Sequence, residues 1–418
     1  MIFRVSARGL QLCAGLCLAF APALVGCSST LDSLGTDPQG VDLDGGSGTL
    51  ARVTGPASYA NVFGDLLAKS DADINTKIAS AFAQLFHGDP STQAIYVQVG
   101  SDQAYIHDVF HDDIRTEGNG LAMLIAVELN KQDEFDRLWT YSKSMQQITS
   151  GAARGYFNSV CDETTPCIDP FGMEQFVTAL IFANDRWGGG TYASDGAALL
   201  DLLVNKEREN GGVSSGITSA FDPTTTFVRE QPTSATAGYT RAALQIPAMY
   251  DLWARASGNS FWPQAASAAR TNSVVAANTT TGLTPQANFF DGTMVPSETQ
   301  YGPQGYRASL NIALDALWGG VTPGEVTVAD HLLAFFTAQG INTYGKAFQP
   351  DGTVVDLTHD QGLVAMNGAL AVASTRTNRA DFANAVWAMP IPSADSRYYD
   401  GLLYLTSLLV LSGQYRVY

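Results

Sequence analysis

Residues 111–129 read HDDIRTEGNGLAMLIAVEL. The stretch opens with packed charge: Asp112, Asp113, Arg115 and Glu117. Gly118 and Gly120 follow, and an apolar run goes from Leu121 to Val127. A helix that is apolar nearly all round is buried on most sides. The expectation is therefore a buried helix fed by a charged mouth. Glu117, in its first turn, reads as a proton donor in a cleft. The competing reading makes Asp113, Arg115 and Glu117 a structural salt-bridge cluster.

Outward from this stretch, the chain reads as thirteen helices separated by glycine- and proline-marked loops. They are placed at 56–69, 71–86, 117–130, 133–149, 171–186, 194–207, 240–256, 259–276, 306–318, 325–338, 358–374, 378–388 and 398–413. Short extended pieces are expected at 92–99 and 225–230. The helices at 117–130, 171–183 and 398–411 are largely apolar. The helix at 133–149 is amphipathic, with Phe135, Leu138, Trp139 and Met145 on one stripe. Two kinds of helix need two environments, which a double ring of inner and outer helices supplies. The predicted fold class is all-α, an (α/α)6 barrel whose inner loops line a cleft at one end. A bundle with an accessory domain is the alternative.

Of the 418 residues 45% are apolar, enough for a sizeable core, and the formal charge is −17. A nucleic-acid partner is excluded, because phosphate binding draws on Lys and Arg clusters. Residues 1–26 read as a signal, with Arg4 and Arg8 before the apolar stretch Leu10–Val25. That stretch is too short for a comfortable membrane span. It ends in LVGC, which resembles a bacterial lipoprotein signal with acylation at Cys27. Losing residues 1–26 removes two arginines and no acid, taking the charge from −17 to −19. Residues 27–50 are Gly-, Ser- and Asp-rich and read as a flexible tether. The folded domain is expected over 51–418. This places the protein in the bacterial cell envelope, as an outer-membrane lipoprotein or otherwise secreted, with the lipid as its membrane contact. Cys161 and Cys167, in VCDETTPCIDP, suit a local disulfide in an oxidising compartment. A zinc site is the weaker alternative, since no histidine lies near. A monomer is expected.

The long segments 210–238 and 277–305 carry Phe227, Phe289, Phe290 and Tyr301. Their rings either stack on sugar faces or seal the loops onto the body. Sugar hydrolysis with inversion needs one carboxyl group to protonate the leaving oxygen and a second to activate water. Burial favours a protonated carboxyl, which suits Glu117, whereas a helix N-terminus favours the charged form. Asp113 precedes Glu117 by four positions and shares its face if that turn is helical. Further acidic candidates are Asp169, Glu174, Asp222, Glu230, Asp291, Glu298, Asp315, Asp360 and Asp400. Asp315 also reads as a buried structural acid, and Asp400 as an ion pair with Arg397. The five histidines form no HExxH and no close metal pair, so neither a metal nor any other cofactor is expected. No nucleophile elbow and no phosphate-cradling glycine loop occurs.

Seven stretches together resemble glycoside hydrolase family 8, and within it the reducing-end xylose-releasing exo-oligoxylanases. They are DDIRTEGNGLAMLIAVEL (112–129), FDRLW (135–139), GMEQFVTALIFANDRWG (172–188), TGLTPQANFFDG (281–292), GYRASLNIALDALW (305–318), QGLVAMNGALAV (361–372) and RYYDGLLYLTSLLVLSGQYRVY (397–418). The resemblance implies an (α/α)6 barrel that hydrolyses β-1,4-linked xylan, glucan or chitosan with inversion. It makes Glu117 the general acid, with Asp113 and Arg115 supporting it. The family's sugar-binding aspartate follows a proline, where this chain has Phe171; Asp169 and Glu174 are the nearby carboxyl groups. The family's base position is taken by Gln304, so a relocated base is expected, with Glu298 first choice. Arg115, Asp169, Glu174, Gln304, Tyr306 and Arg307 are the expected substrate contacts, and an oligo- or polysaccharide the partner. A non-hydrolytic, carbohydrate-binding descendant is the alternative.

Overall fold

The computed structural model describes residues 50–160 and 166–418. The signal, Cys27, the tether up to residue 49 and Cys161 lie outside the described residues. Among those described, thirteen α-helices succeed one another: α1 (Val62–Leu67), α2 (Asp71–His87), α3 (Thr116–Glu128), α4 (Gln132–Tyr141), α5 (Pro170–Arg186), α6 (Tyr192–Asn210), α7 (Pro247–Ser257), α8 (Phe261–Val275), α9 (Pro303–Trp318), α10 (Pro323–Gln339), α11 (Gln361–Ala369), α12 (Arg379–Ala388) and α13 (Tyr399–Leu411). α3, α5, α7, α9, α11 and α13 each pack on the next, and α13 packs back on α3. Six inner helices thus close a ring. α4, α6, α8, α10 and α12 each cover the inner helix before them, and α2 covers α13. This is the (α/α)6 barrel.

Burial follows the sequence pattern. In α3 every residue except Glu117 is buried, and in α13 everything from Gly401 to Leu411 is buried. In outer α4 only Phe135, Leu138 and Trp139 are buried. Met145 leaves that stripe and is exposed, because residues 142–146 wind as a π-helical turn and shift the phase. The glycines after Glu117 are contact points. A Cβ on Gly118 would sit 2.8 Å from the Tyr398 ring, and one on Gly120 would sit 2.6 Å from the Gln175 Cβ. α3 can therefore lie directly against α13 and α5.

Some boundaries differ from expectation, for local reasons. The helix expected at 240–256 starts at Pro247, a residue suited to the first helical position. Residues 239–240 instead pair with 288–289 as short strands. The helix expected from 358 starts at 361, where the Asp360 side chain accepts from the Leu363 N–H at 2.9 Å. Extended 92–99 is a strand only over Tyr96–Val99, paired with Gln103–Ile106. The piece at 225–230 forms no strand; Val228 makes a single bridge to Phe221.

Asp315 is the structural acid its apolar setting suggested. It is fully buried, and Arg270 forks onto it at 2.7 and 2.6 Å while also holding Asp251 at 2.5 Å. Removing one partner of a buried pair strands the other charge. Asp315→Ala is expected to cost about 3–5 kcal/mol, read from urea unfolding. A loss below about 1 kcal/mol would show that this pair does not hold α8 to α9.

Candidate active site

The first turns of the inner helices gather at one end of the barrel. Glu117 opens α3, Asp169 caps α5, Leu244 precedes α7, Gln304 and Arg307 open α9, Asp360 caps α11, and Tyr399 and Asp400 open α13. All of them line two adjoining cavities. The larger, about 450 Å³, is lined by Phe110, His111, Tyr306, Asp360, Tyr398, Tyr399 and Asp400, among others. The smaller, about 80 Å³, is lined by Ser159, Val160, Asp169, Glu230, Arg241, Leu244 and Arg307. Arg115, Glu117 and Gln304 line both, so Glu117 stands at the waist between a roomy arm and a tight one.

Glu117 Oε2 accepts from Arg307 Nη1 at 2.6 Å, and its Oε1 has no protein partner among the described residues. Arg307 is buried, with its guanidinium carbon 4.4 Å from the Phe171 ring centre and 5.9 Å from that of Tyr399. Phe171 thus replaces the expected aspartate with a flat ring under the cation. Gln304 accepts from Arg307 Nη2 through its side-chain oxygen. The amide in the family's base position therefore serves to hold Arg307, which in turn holds Glu117.

Asp113 lies outside the helix. Asp112, with φ at +56°, turns the chain, and the Asp108 and Asp113 backbones bridge each other. Asp113 therefore does not share a helical face with Glu117. It takes a two-pronged bond from Arg115, Nε to Oδ1 and Nη2 to Oδ2, both 3.0 Å. Arg115 also lies 3.3 Å from Asp108, which accepts from His111 Nδ1 at 2.7 Å. Asp108, His111 and Asp113 have donor atoms close enough for a metal ion, but the Arg115 guanidinium already supplies the positive charge there.

The hairpin of Asn158–Val160 and Pro166–Ile168 sets both carboxyl-bearing helix starts. Ser159 Oγ accepts from the Thr116 N–H at 3.1 Å, and Asp169 follows directly as the cap of α5. Cys167, in this hairpin, is disulfide-bonded. Asp169 Oδ1 accepts from the Phe171 N–H at 3.0 Å. Burial, reinforced by the charge of Glu117, pushes the Asp169 carboxyl up to about 6.

Glu174 is a correction to the expected substrate contacts. It is fully buried, lines neither cavity, and lies 2.6 Å from the Tyr250 hydroxyl. That hydroxyl also lies 2.7 Å from the Leu244 carbonyl, and its single proton cannot serve both acceptors. Glu174 must carry its own proton and donate to Tyr250, in keeping with the strong upward push of burial on it. The motif's second acid is a packing residue because α5 turns that face inward.

Glu298 lines neither cavity. It lies 3.6 Å from Arg241, whose Nε and Nη2 are bonded to Glu230 Oε1 at 3.0 and 2.7 Å. Asp222 is bound by Arg229 and Asp291 by its own turn at Thr293. Arg397 donates to the Ala94 and Ala394 carbonyls, not to Asp400. Asp400 faces Asp360 instead, and burial followed by that neighbouring charge pushes it up to about 7. Of the loop rings, Phe227 stacks on Phe290 at 5.2 Å and Tyr301 is buried, while Phe289 stays exposed and lines neither cavity. The rings facing the large cavity are Phe110, Tyr306, Tyr398 and Tyr399. Phe110, Tyr398, Tyr399 and Arg241 had no sequence signal separating them from core or loop residues.

A barrel with a carboxyl group at the waist of a cleft suits one class in particular, the glycoside hydrolases. The sequence profile of glycosyl hydrolases family 8 matches residues 99–413, and the chain belongs to that family. It is 31% identical to the reducing-end xylose-releasing exo-oligoxylanase Rex8A of Paenibacillus barcinonensis, over 86% of this chain and 97% of the relative. It is also 31% identical to the reducing end xylose-releasing exo-oligoxylanase of Halalkalibacterium halodurans, over 86% and 94%. A xylobiose complex of a family 8 protein from Teredinibacter turnerae superposes with a TM-score of 0.80 at 32% identity, covering 86% of this chain and 98% of that one. The protein is a glycoside hydrolase.

Proposed function

We propose that the protein releases xylose from β-1,4-linked xylo-oligosaccharides, with inversion. What carries this reading is the position of Glu117, the one residue of α3 left unburied, at the waist between unequal arms. A wide arm takes several sugar units. A tight arm, with Val160 and Leu244 in its lining, leaves little room past Glu117 and favours a ring without a C6 hydroxymethyl group. The two relatives above are named for this release of xylose.

In this mechanism Glu117 gives its proton to the glycosidic oxygen as the C1–O bond breaks. Water forms the new bond at C1 from the opposite face and gives its proton to Asp169. Asp169 suits that task because Oδ2 carries no protein hydrogen bond among the described residues and its proton leaves near pH 6, close to the working range of a general base. Glu230 is tied to Arg241 and is less free. Arg307 lies near both Glu117 and Asp169 and holds Glu117 at the waist of the cleft.

Product analysis on xylo-, cello- and chitosan oligosaccharides tests the reading. Xylotriose should give xylose and xylobiose, with the newly formed end appearing first as the α-anomer in an NMR time course. A β-anomer as first product, or no cleavage of any xylo-oligosaccharide, would overturn it.

A further inference from the structure

A second cavity, of about 470 Å³, lies at the opposite end of the barrel. Glu128, the last residue of α3, lines it; the helix length between it and Glu117 is about 16 Å at ~1.5 Å per residue. Arg186, from the end of α5, and Arg416, from the C-terminal tail, also line it. Arg186 donates to Asn130 Oδ1 at 3.0 Å and to the Glu128 carbonyl at 3.4 Å, and Arg416 to the Gly413 carbonyl at 3.0 Å. Neither guanidinium has a carboxylate in ion-pair reach among the described residues.

The acid beside them does not offset this charge. Glu128 Oε2 accepts from the Arg416 N–H at 3.1 Å and the Tyr418 hydroxyl at 3.0 Å, while its buried Oε1 has no partner among the described residues. Burial pushes the Glu128 carboxyl up to about 8, so near neutral pH it is mostly uncharged. The carbonyl ends of α3, α5 and α13, about half a negative charge each, and the exposed Asp71 offset the two positive charges overall, so what the cavity offers an anion is guanidinium N–H donors with no acid partner. The Arg186 guanidinium lies over the Tyr418 ring at 4.3 Å and that of Arg416 over the Tyr59 ring at 5.8 Å, so each cation is backed by an aromatic face.

We propose that this cavity binds an acidic sugar, a uronate whose carboxylate is held by Arg186 and Arg416. Guanidinium groups pair with carboxylates through parallel charge-assisted bonds. The cavity, at about 470 Å³, is far larger than a bare carboxylate needs, and Asn61, Asn75 and Ser412 line it with polar groups suited to sugar hydroxyls.

The test is a calorimetric titration of the full chain near pH 6.5 with D-glucuronate, D-glucose and acetate. Glucuronate should bind one to one and at least about tenfold more tightly than either of the others. Added xylotriose should not displace it. Arg416→Gln, on an exposed tail position, should weaken glucuronate binding at least about tenfold and leave hydrolysis unchanged. Equal binding of glucose would make this a neutral-sugar site, and equal binding of acetate a bare anion site. Either result would overturn the proposal. So would absent saturation, displacement by xylotriose, or unchanged affinity in Arg416→Gln. None of these readings depends on whether Glu117 is the acid.

Discussion

Glu117→Gln is expected to lower kcat on xylotriose by about 10²–10⁴-fold, the usual worth of a positioned general acid. The affinity for xylotriose should stay within about threefold. The replacement keeps an oxygen that can accept from Arg307, now at 2.6 Å from the carboxylate, but has no proton to give the leaving oxygen. The fold should tolerate it, because the rest of α3 is buried and makes its contacts independently of that side chain. A substrate with a good leaving group, such as a nitrophenyl xyloside, needs little protonation. The deficit on it should therefore be much smaller than on xylotriose. That contrast separates loss of a proton donor from a general disturbance of the cleft. Full activity of the variant on xylotriose would remove Glu117 from the mechanism.

The inner ring was legible because α3, α5 and α13 leave no polar face, which the interior of a barrel accommodates. Glu117 was legible because it interrupts such a segment at its start. The partner of Glu117 was less so: Arg307 is 190 positions away, and its role depends on ring closure that periodicity does not encode. Asp113 was given a helical spacing that the left-handed backbone at Asp112 forbids. Glu174 was misplaced because a motif records which residue types persist, not which way α5 is rotated. The departures at Phe171 and Gln304 looked like losses of function, yet both contact Arg307. Aromatic residues on the loops drew attention that belonged to Tyr398 and Tyr399, which sit at the start of an apolar helix and read as core.

Asp169→Asn should lower turnover about 10²–10⁴-fold and, unlike most active-site changes, stabilise the fold. Asparagine still caps α5, since its side-chain oxygen can accept from the Phe171 N–H. The aspartate is costly when charged, because its folded value of about 6 lies above the ordinary 3.8 of an aspartate. A group raised in this way favours the folded state below the unfolded value, and that contribution is lost as pH rises through the folded value. By pH 7 the wild type has lost it, whereas the neutral asparagine has not. The variant should therefore be more stable by about 1–3 kcal/mol at pH 7, since each tenfold change in proton affinity is worth about 1.4 kcal/mol. At pH 3 the two should unfold alike. In the wild type, kcat/KM should fall about tenfold for each step of one in pH below pH 6, as the base takes up its proton; in the variant this acid limb should be lost. Azide attacks C1 without needing a base, so it should restore turnover in the variant and yield the α-glycosyl azide. An unchanged acid limb, or no rescue by azide in a folded and more stable variant, would shift the water-activating role to Glu230, which shares the small cavity, or to Glu298 beyond Arg241.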